Sequence, residues 1–274
     1  MSAVESAPQS VRSGQSVRAW RADPYTDALR TGRGPLFLRR GDGWLLPLEV
    51  ERWCAEPDRA DTTVLDRCRG PVLDVGCGPG RLVAALAALG RPALGIDVSQ
   101  AAVDRTVRAG GTALCRSVFD PLPGEARWGT VLLVDGNIGI GGDPAALLGR
   151  AAELVRPDGT LIVEVAAPDV DERVEVRVDD GRGALGAAFP WARVGARALL
   201  AYAGATGWTV RGEWRADGRP FVQLRRRAAV RPARDRSAHD RRTRRSSGGS
   251  PARAPAATAE ATATAASSSS QFRT

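Results

Sequence analysis

The chain has 274 residues, which suits one substantial domain with extensions, since domains commonly run to roughly 100–200 residues. Apolar residues make up 43% of it, yet no run approaches the roughly 18 consecutive apolar residues of a membrane span, and the polar, Ser-rich start lacks a secretory signal's apolar stretch, so a soluble, cytoplasmic protein is expected. All 39 basic residues are arginine and the net charge is +8, but residues 227–274 hold ten arginines against Asp235, Asp240 and Glu260, a net of +7 that leaves +1 for residues 1–226; the basic character belongs to the tail and not to a face of the body.

Residues 1–20 lack periodicity and apolar mass, and the Ala/Arg/Ser-rich stretch 227–274 lacks them further, so both ends are expected to be disordered. Residues 21–59 form a mixed, aromatic-containing segment with little periodicity, placed to act as a lid or cap. From 60 to 226, short apolar runs alternate with Ala-rich helical segments, the pattern of a parallel sheet covered by helices. A helix is predicted over Asp61–Cys68 and a first strand over Val72–Val75. A glycine turn follows, then a helix over Arg81–Leu89 stopped by Gly90. The second strand ends at Asp97, and Ser99 can cap the next helix, whose apolar faces include Ala102, Val103 and Val107. Thr112–Cys115 and Thr130–Asp135 are the third and fourth strands. Asp143 and Pro144 occupy the N-cap and N1 positions of a helix that runs to the turn RPDG, and Thr160–Val165 is the fifth strand. ERVEVRV and DDGRG then suggest a hairpin-like insertion. A helix around Gly195–Ala205 and two strands joined by RADGRP bring the total to about seven.

Chemistry concentrates where the first strand meets its helix, in LDVGCGPGR. A side chain at Gly76 or Gly78 would hold the backbone away from a ligand, and Gly80 lets the helix start pack close to the strand. Asp97 lies 21 residues beyond Gly76, the distance at which an acidic side chain accepts hydrogen bonds from both ribose hydroxyls. A nicotinamide-type fingerprint is G-x-G-x-x-G, whereas here the third glycine falls one place early and the sixth position is Arg81. A carboxylate at Asp74 suits the ammonium of an amino-acid tail better than a phosphate.

Taken together, VLDVGCGPGRL, GIDVS and LVRPDGTLIVEV resemble the motif series of class I S-adenosylmethionine-dependent methyltransferases. The likeness covers about residues 60–226. It implies an α/β, Rossmann-like, seven-stranded and mostly parallel sheet with helices on both faces, and S-adenosyl-L-methionine as cofactor. By that resemblance the cofactor's amino-acid part lies on Asp74, Gly76, Cys77, Gly78 and Gly80, its ribose on Asp97, and its adenine between Val98 and the loop after the third strand. Many relatives carry an acidic residue in that loop. Here Ser117 holds the position, with Val118 and Phe119 beside it, and Asp120 or the backbone is left to supply the contact. The segments DPYTDALRTGRGPLFLRR and DGNIGIGGDP are similar to bacterial, actinobacterium-like members, a likeness that brings no substrate with it.

The DGNIG loop follows the fourth strand, at the sheet edge where ligands of open α/β folds bind. Asp135 and Asn137 either contact the cofactor or acceptor there, or serve the loop's turn geometry. If the acceptor is a hydroxyl, a base must take its proton. The only histidine, His239, lies in the tail and reads as solvated. Glu164 and Asp135 are therefore the candidate catalytic residues, with Tyr25 a more distant third; Glu164 reads at least as well as the partner of an arginine. Trp44, Trp191, Phe189 and Phe37 either line an acceptor pocket or pack the cap against the insertion.

No C-x-x-C pair joins Cys54, Cys68, Cys77 and Cys115, so reduced, mostly buried thiols and no metal site are expected. Three functions compete. A methyltransferase acting on an oxygen or nitrogen of a small metabolite, by direct displacement, suits the near-neutral body. A nucleic-acid-directed methyltransferase would use the basic tail, but the [DN]-P-P-[FYW] tetrad is absent and no aromatic residues interleave the arginines. A non-catalytic cofactor-binding module would have an eroded glycine turn, and this one is intact. Oligomeric state has no signature, and no membrane partner is expected. Deletion of residues 228–274 is expected to leave activity unchanged, and a large loss of activity, or of a nucleic-acid complex in a filter-binding assay, would reverse that reading.

Overall fold

The computed structural model describes residues 23–227. The expectations for the two ends, His239 included, lie outside the described residues. Its elements in chain order are α1 (Asp23–Thr31), β1 (Phe37–Arg40), β2 (Leu45–Pro47), α2 (Val50–Cys54), α3 (Arg59–Arg67), β3 (Val72–Val75), α4 (Arg81–Ala88), β4 (Ala93–Asp97), α5 (Gln100–Arg108), β5 (Ala113–Cys115) and β6 (Trp128–Leu133). After a 3-10 turn (Asn137–Gly139) come α6 (Pro144–Leu154), β7 (Val155–Glu164), β8 (Asp171–Asp179), β9 (Phe189–Val194), α7 (Ala196–Ala205), β10 (Trp208–Ala216) and β11 (Arg219–Arg226).

Seven strands form one sheet in the order β10-β11-β7-β6-β3-β4-β5. The five from β7 to β5 run parallel, while β11 and β10 are added antiparallel at the β7 edge. The period of two along each strand sends alternate side chains to opposite faces. Leu73, Val131, Leu133, Leu161 and Val163 face α6 and α7, where they meet Leu147, Leu148, Leu154 and Leu199. Val72, Leu132 and Ile162 face α3 and α4, where they meet Val64, Leu65, Leu82 and Leu86. Apolar side chains on both faces are what a parallel strand covered by helices on each side requires, so the α/β, Rossmann-like arrangement is present.

Caps set the helix starts. Asp58 and Asp61 form a reciprocal capping box on α3, Ser99 accepts from the Ala102 N–H on α5, and Asp143 accepts from the Ala145 and Ala146 N–H groups on α6. Strand ends depart from the sequence expectation where backbone conformation intervenes. The fourth strand begins at Trp128 and stops at Leu133, because Asp135 and Gly136 adopt φ of +60° and +83° and turn the chain out of the sheet. The fifth starts at Val155, which pairs with Trp128; RPDG is absorbed as an irregularity in which Asp158 has φ +65°.

A second sheet lies outside the sequence expectation. Strands β2-β1-β8-β9 pair antiparallel, so the expected hairpin from the insertion joins a hairpin from the amino-terminal segment. Beneath it, Tyr25, Leu29, Leu36, Leu38, Val178, Phe189 and Trp191 make a separate apolar cluster. The cap is therefore an ordered layer with its own core.

Gly80 adopts φ +86°, and a Cβ there would overlap the side chain of Thr106 on α5. Its close neighbour is thus a helix and not the strand. At Gly90 the φ is +65° but a Cβ would meet open space. Gly90→Ala should cost roughly 1–2 kcal/mol, the price of a left-handed conformation alone, and Gly80→Ala clearly more. Thermal unfolding of the two variants checks this, and equal losses would show that the Thr106 contact relaxes freely.

Candidate functional site

The turn after β3 opens a cavity at the carboxyl edge of the parallel strands. Gly76, Gly78 and Gly80 all have positive φ, between +54° and +86°, a region that glycine enters without steric cost. The N–H groups of Gly76 and Cys77 both donate to the Ile96 carbonyl, 2.8 and 3.0 Å away, which ties the turn to β4. The Thr106 hydroxyl donates to the Gly78 carbonyl at 3.0 Å. From the other side, Asn137 donates its amide N–H groups to the carbonyls of Val75 and Gly76 at 2.8 and 2.9 Å. A Cβ on Gly76 would come within 2.7 Å of Asn137 Nδ2, so glycine at that position is what lets Asn137 close on the turn.

Asp97 ends β4 with its carboxylate buried beside the turn. Oδ2 accepts the Gly78 N–H at 2.9 Å and Oδ1 the Ser99 N–H at 2.8 Å. Burial pushes its pKa up to about 6, although the N–H groups of Ser99, Gly78 and Val98 pull it back. Each oxygen keeps a lone pair for a further donor. Asp74 is buried in β3, and burial, only partly countered by Arg81, raises it to about 7. Tyr25 on α1 sits opposite; burial, with Asp97 adding to it, holds its hydroxyl well above the usual phenol value, so it stays protonated.

The cavity is lined by Gly76, Cys77, Gly78, Asp97, Val98, Ser117, Val118, Phe119, Asp135 and Asn137, together with Tyr25 and Trp191. The structure thus brings together ten of the residues singled out from the sequence for this site. It does not bring three others to that lining. Asp74 lies under the turn, Gly80 faces Thr106, and Glu164 lines a neighbouring cavity of about 410 Å³. Asp120, considered as an adenine partner, turns its carboxylate back to the Ser117 N–H at 3.3 Å and is absent from the lining. Of the four aromatics considered for an acceptor pocket, Trp191 lines both cavities. Phe189 is fully buried beneath it in an edge-on contact, Phe37 sits on β1, and Trp44 stacks under Arg193.

Both proposed catalytic carboxylates are engaged by arginines. Arg81, the first residue of α4, is buried and donates to Asp61 (2.6 and 2.9 Å) and to Asp135 (2.7 and 3.2 Å). Arg219 on β11 donates to Glu164 (2.9 and 2.8 Å), to Asp61 (2.9 Å) and to Asp135 (3.2 Å). Arg52 of α2 brings Nη1 within 2.9 Å of Asp135, though at an angle that makes no hydrogen bond. Glu164 also accepts the Asp135 N–H at 2.8 Å. Burial raises the Asp135 carboxyl, but Arg81 and Arg52 more than offset it and hold it below the usual range. The same contest leaves Asp61 at about 2.

Sequence reasoning missed Arg52, Trp53, Thr106 and Arg219, and noted Arg81 only as a break in glycine spacing. An arginine directly after the glycine turn was the one usable signal, since a helix start is a poor place for an unpaired cation.

A parallel sheet with a glycine turn, a buried acid at the end of the next strand and an apolar cleft between them defines a class I methyltransferase, an enzyme whose cofactor is S-adenosylmethionine. Residues 49–211 match the family model described as a methyltransferase domain, and the chain belongs to that family. A search of curated proteins finds no match. Among solved structures, it is similar to an S-adenosylmethionine-dependent methyltransferase from Bacteroides fragilis in complex with S-adenosylhomocysteine, at 19% identity over 81% of this chain and 97% of that one, TM-score 0.62. It is also similar to the 1,6-didemethyltoxoflavin-N1-methyltransferase of Burkholderia thailandensis, bound to 1,6-didemethyltoxoflavin and S-adenosylhomocysteine, at 19% identity over 83% and 93% of the chains, TM-score 0.56. No described helix is long and apolar enough to cross a membrane.

The pKa of Asp97 lies above that of an unfolded aspartate, so the native state holds its proton more tightly. Stability of the free protein should therefore rise as pH falls from 8 to 5.5, and, if the carboxylate accepts the ribose hydroxyls, affinity for S-adenosylhomocysteine should fall over the same range. Calorimetric titration across that range, with Asp97→Ala expected to lose at least about tenfold at pH 8, checks both signs; a flat affinity profile would remove Asp97 from the ribose.

Proposed function

We propose that the chain transfers a methyl group from S-adenosylmethionine to an oxygen or nitrogen of a small-molecule metabolite by direct displacement. The observation that carries this reading is the pair of adjoining cavities, which share Leu48, Trp53, Asp135 and Trp191 as a common wall. At about 410 Å³ the second falls within the range of small-molecule sites, whereas a nucleic-acid strand would need an open, cationic groove. The 1,6-didemethyltoxoflavin bound by the Burkholderia enzyme supports the same choice.

The residues present fit the cofactor. Asp97 accepts its ribose hydroxyls, the positive-φ turn lets backbone approach its amino-acid part, and Val98, Ser117, Val118 and Phe119 flank its adenine. Asp74, buried under the turn without an ion-pair partner among the described residues, would favour the cofactor's ammonium. When bound, S-adenosylmethionine supplies a methyl carbon activated by the positive sulfur. With it bound, the wall residues would hold the acceptor's lone pair in line with that carbon and keep water out, since alignment and exclusion of water carry much of such a rate.

Glu164 and Asp135 act in this reading as the frame and not as the base. Asp135, with three guanidinium groups at its carboxylate, has little tendency to accept a proton, and both oxygens of Glu164 are held by Arg219. Tyr25, buried and protonated, is likewise a donor.

Incubation of the enzyme with trideuteromethyl S-adenosylmethionine and fractionated cell extract should give a labelled product of low molecular mass, read by mass spectrometry. Glu164→Gln should retain turnover within about tenfold, whereas loss of a general base typically costs 10²–10⁴-fold. Label found in nucleic acid alone would replace this reading with the nucleic-acid one.

A further inference from the structure

We infer that the second cavity selects a neutral, flat acceptor carrying a hydrogen-bond-accepting atom, and that the indole N–H of Trp53 receives that atom. This rests on the reading that the second cavity is the acceptor site. Trp53 lies on α2 and lines both cavities. Its Nε1 is buried and has no hydrogen-bond partner among the described residues. A buried donor left without a partner costs about 1–3 kcal/mol, and other tryptophan N–H groups of the molecule avoid that cost: Trp208 donates to the Leu148 carbonyl, Trp214 to the Thr63 hydroxyl and Trp128 to the Pro123 carbonyl. Trp53 is an exception placed on the wall where the methyl must cross.

The charges of the cavity point the same way. Its ionic lining consists of Arg52, Arg193 and Arg219 against Glu49, Asp135 and Glu164, three of each sign. Each is committed: Arg52 to Glu49 and Asp135, Arg219 to Glu164 and Asp135, and Arg193 to Glu172. A charged acceptor would have to break one of these pairs and leave its partner uncompensated. A neutral molecule breaks none. The remaining surface is apolar and aromatic, with Leu38, Leu46, Leu48, Ile138 and Trp191 around Trp53, so a flat ring is held by stacking and burial while the indole N–H sets its orientation.

Three probes of one shape separate the parts of this inference: quinoline, with a ring nitrogen; naphthalene, with none; and 2-naphthoate, with a negative charge. Each is titrated into protein saturated with S-adenosylhomocysteine. Quinoline should bind about tenfold more tightly than naphthalene, the worth of one hydrogen bond to an otherwise orphaned donor, and 2-naphthoate weakest. In Trp53→Phe, quinoline should fall to the level of naphthalene, whose affinity is unchanged. Equal affinity of quinoline and naphthalene in the wild type, tightest binding by 2-naphthoate, or no binding by any probe overturns the inference, with no need of the variant. Binding of S-adenosylhomocysteine, measured first in the same cell, reports separately on the cofactor site, so its failure would strike the parent reading instead.

Discussion

The contact on which the site depends is the buried pairing of Arg81 with Asp61 and Asp135. Arg81 follows the glycine turn directly, at the first position of α4, where its charge opposes the helix dipole. Two carboxylates compensate for that placement, one from α3 and one from the loop after β6. The planar guanidinium meets both at once, which an ammonium could not do with the same geometry. Asp135 is in turn held in a left-handed conformation that a non-glycine residue rarely adopts. The strain is tolerated because Arg81, Arg219 and Arg52 converge on its side chain. The chain leaves Asp135 and Gly136 in the direction that brings Asn137 over the turn, and Asn137 then fixes the carbonyls of Val75 and Gly76. One ion pair thus sets the helix start, the loop and the turn together.

The network also joins the cap to the body. Arg52 belongs to the amino-terminal segment, Arg219 to the last strand, and Asp61 to the helix before the first strand of the main sheet. Arg52 and Arg219 meet at Asp135, and Arg219 reaches on to Asp61, so positions far apart in sequence share one network. Replacing such a network by apolar residues of the same shape can be neutral for stability, while removing a single member leaves a buried charge exposed to the others. Its contribution is therefore better described as a fixed geometry than as a large net stabilisation. The carboxylates on the cofactor side behave differently. Asp74 and Asp97 lack a direct cationic partner, and burial raises both. The free protein holds two acids it would rather protonate, and a cationic ligand relieves that strain, so cofactor binding and stability are coupled through the same groups.

Local signals made most of the main sheet legible. A continuous apolar run such as VLLV can only be a strand buried on both faces, and Gly90, Ser99, Asp143 and Pro144 announced helix ends through their own backbone or side-chain chemistry. Asp97 was legible as the acid that ends the apolar run of the second strand, beside the glycine turn. Strand ends were less so. The fourth strand stops early at a positive φ on Asp135, a conformation that aspartate does not advertise. The second sheet was hidden for another reason: Arg39 of β1 pairs with Arg177 of β8, and each strand looks incomplete until its distant partner is present. Trp53 and Arg52 sit on a helix of five residues, too short to leave a periodic pattern, so nothing local pointed to them.

The sequence read Glu164 as well placed to partner an arginine, but it could not convey which arginine, nor that Asp135 was spoken for as well. Counting acids near the sheet edge singles out Asp135 and Glu164, and both lie where a base for a hydroxyl acceptor would be needed. Their partners come from α2, α4 and β11, and only the fold reveals them. Once those arginines are in place, the wall between the two cavities offers an indole N–H, two apolar faces and a carboxylate that holds no spare basicity. On the proposed reading, such a wall favours an acceptor whose lone pair is already free at neutral pH, with the protein contributing alignment and dryness. The same arginines that engage the two candidate bases are the ones that hold the loop in place, so on the proposed reading the lack of a general base and the fixed geometry of the site have a single cause.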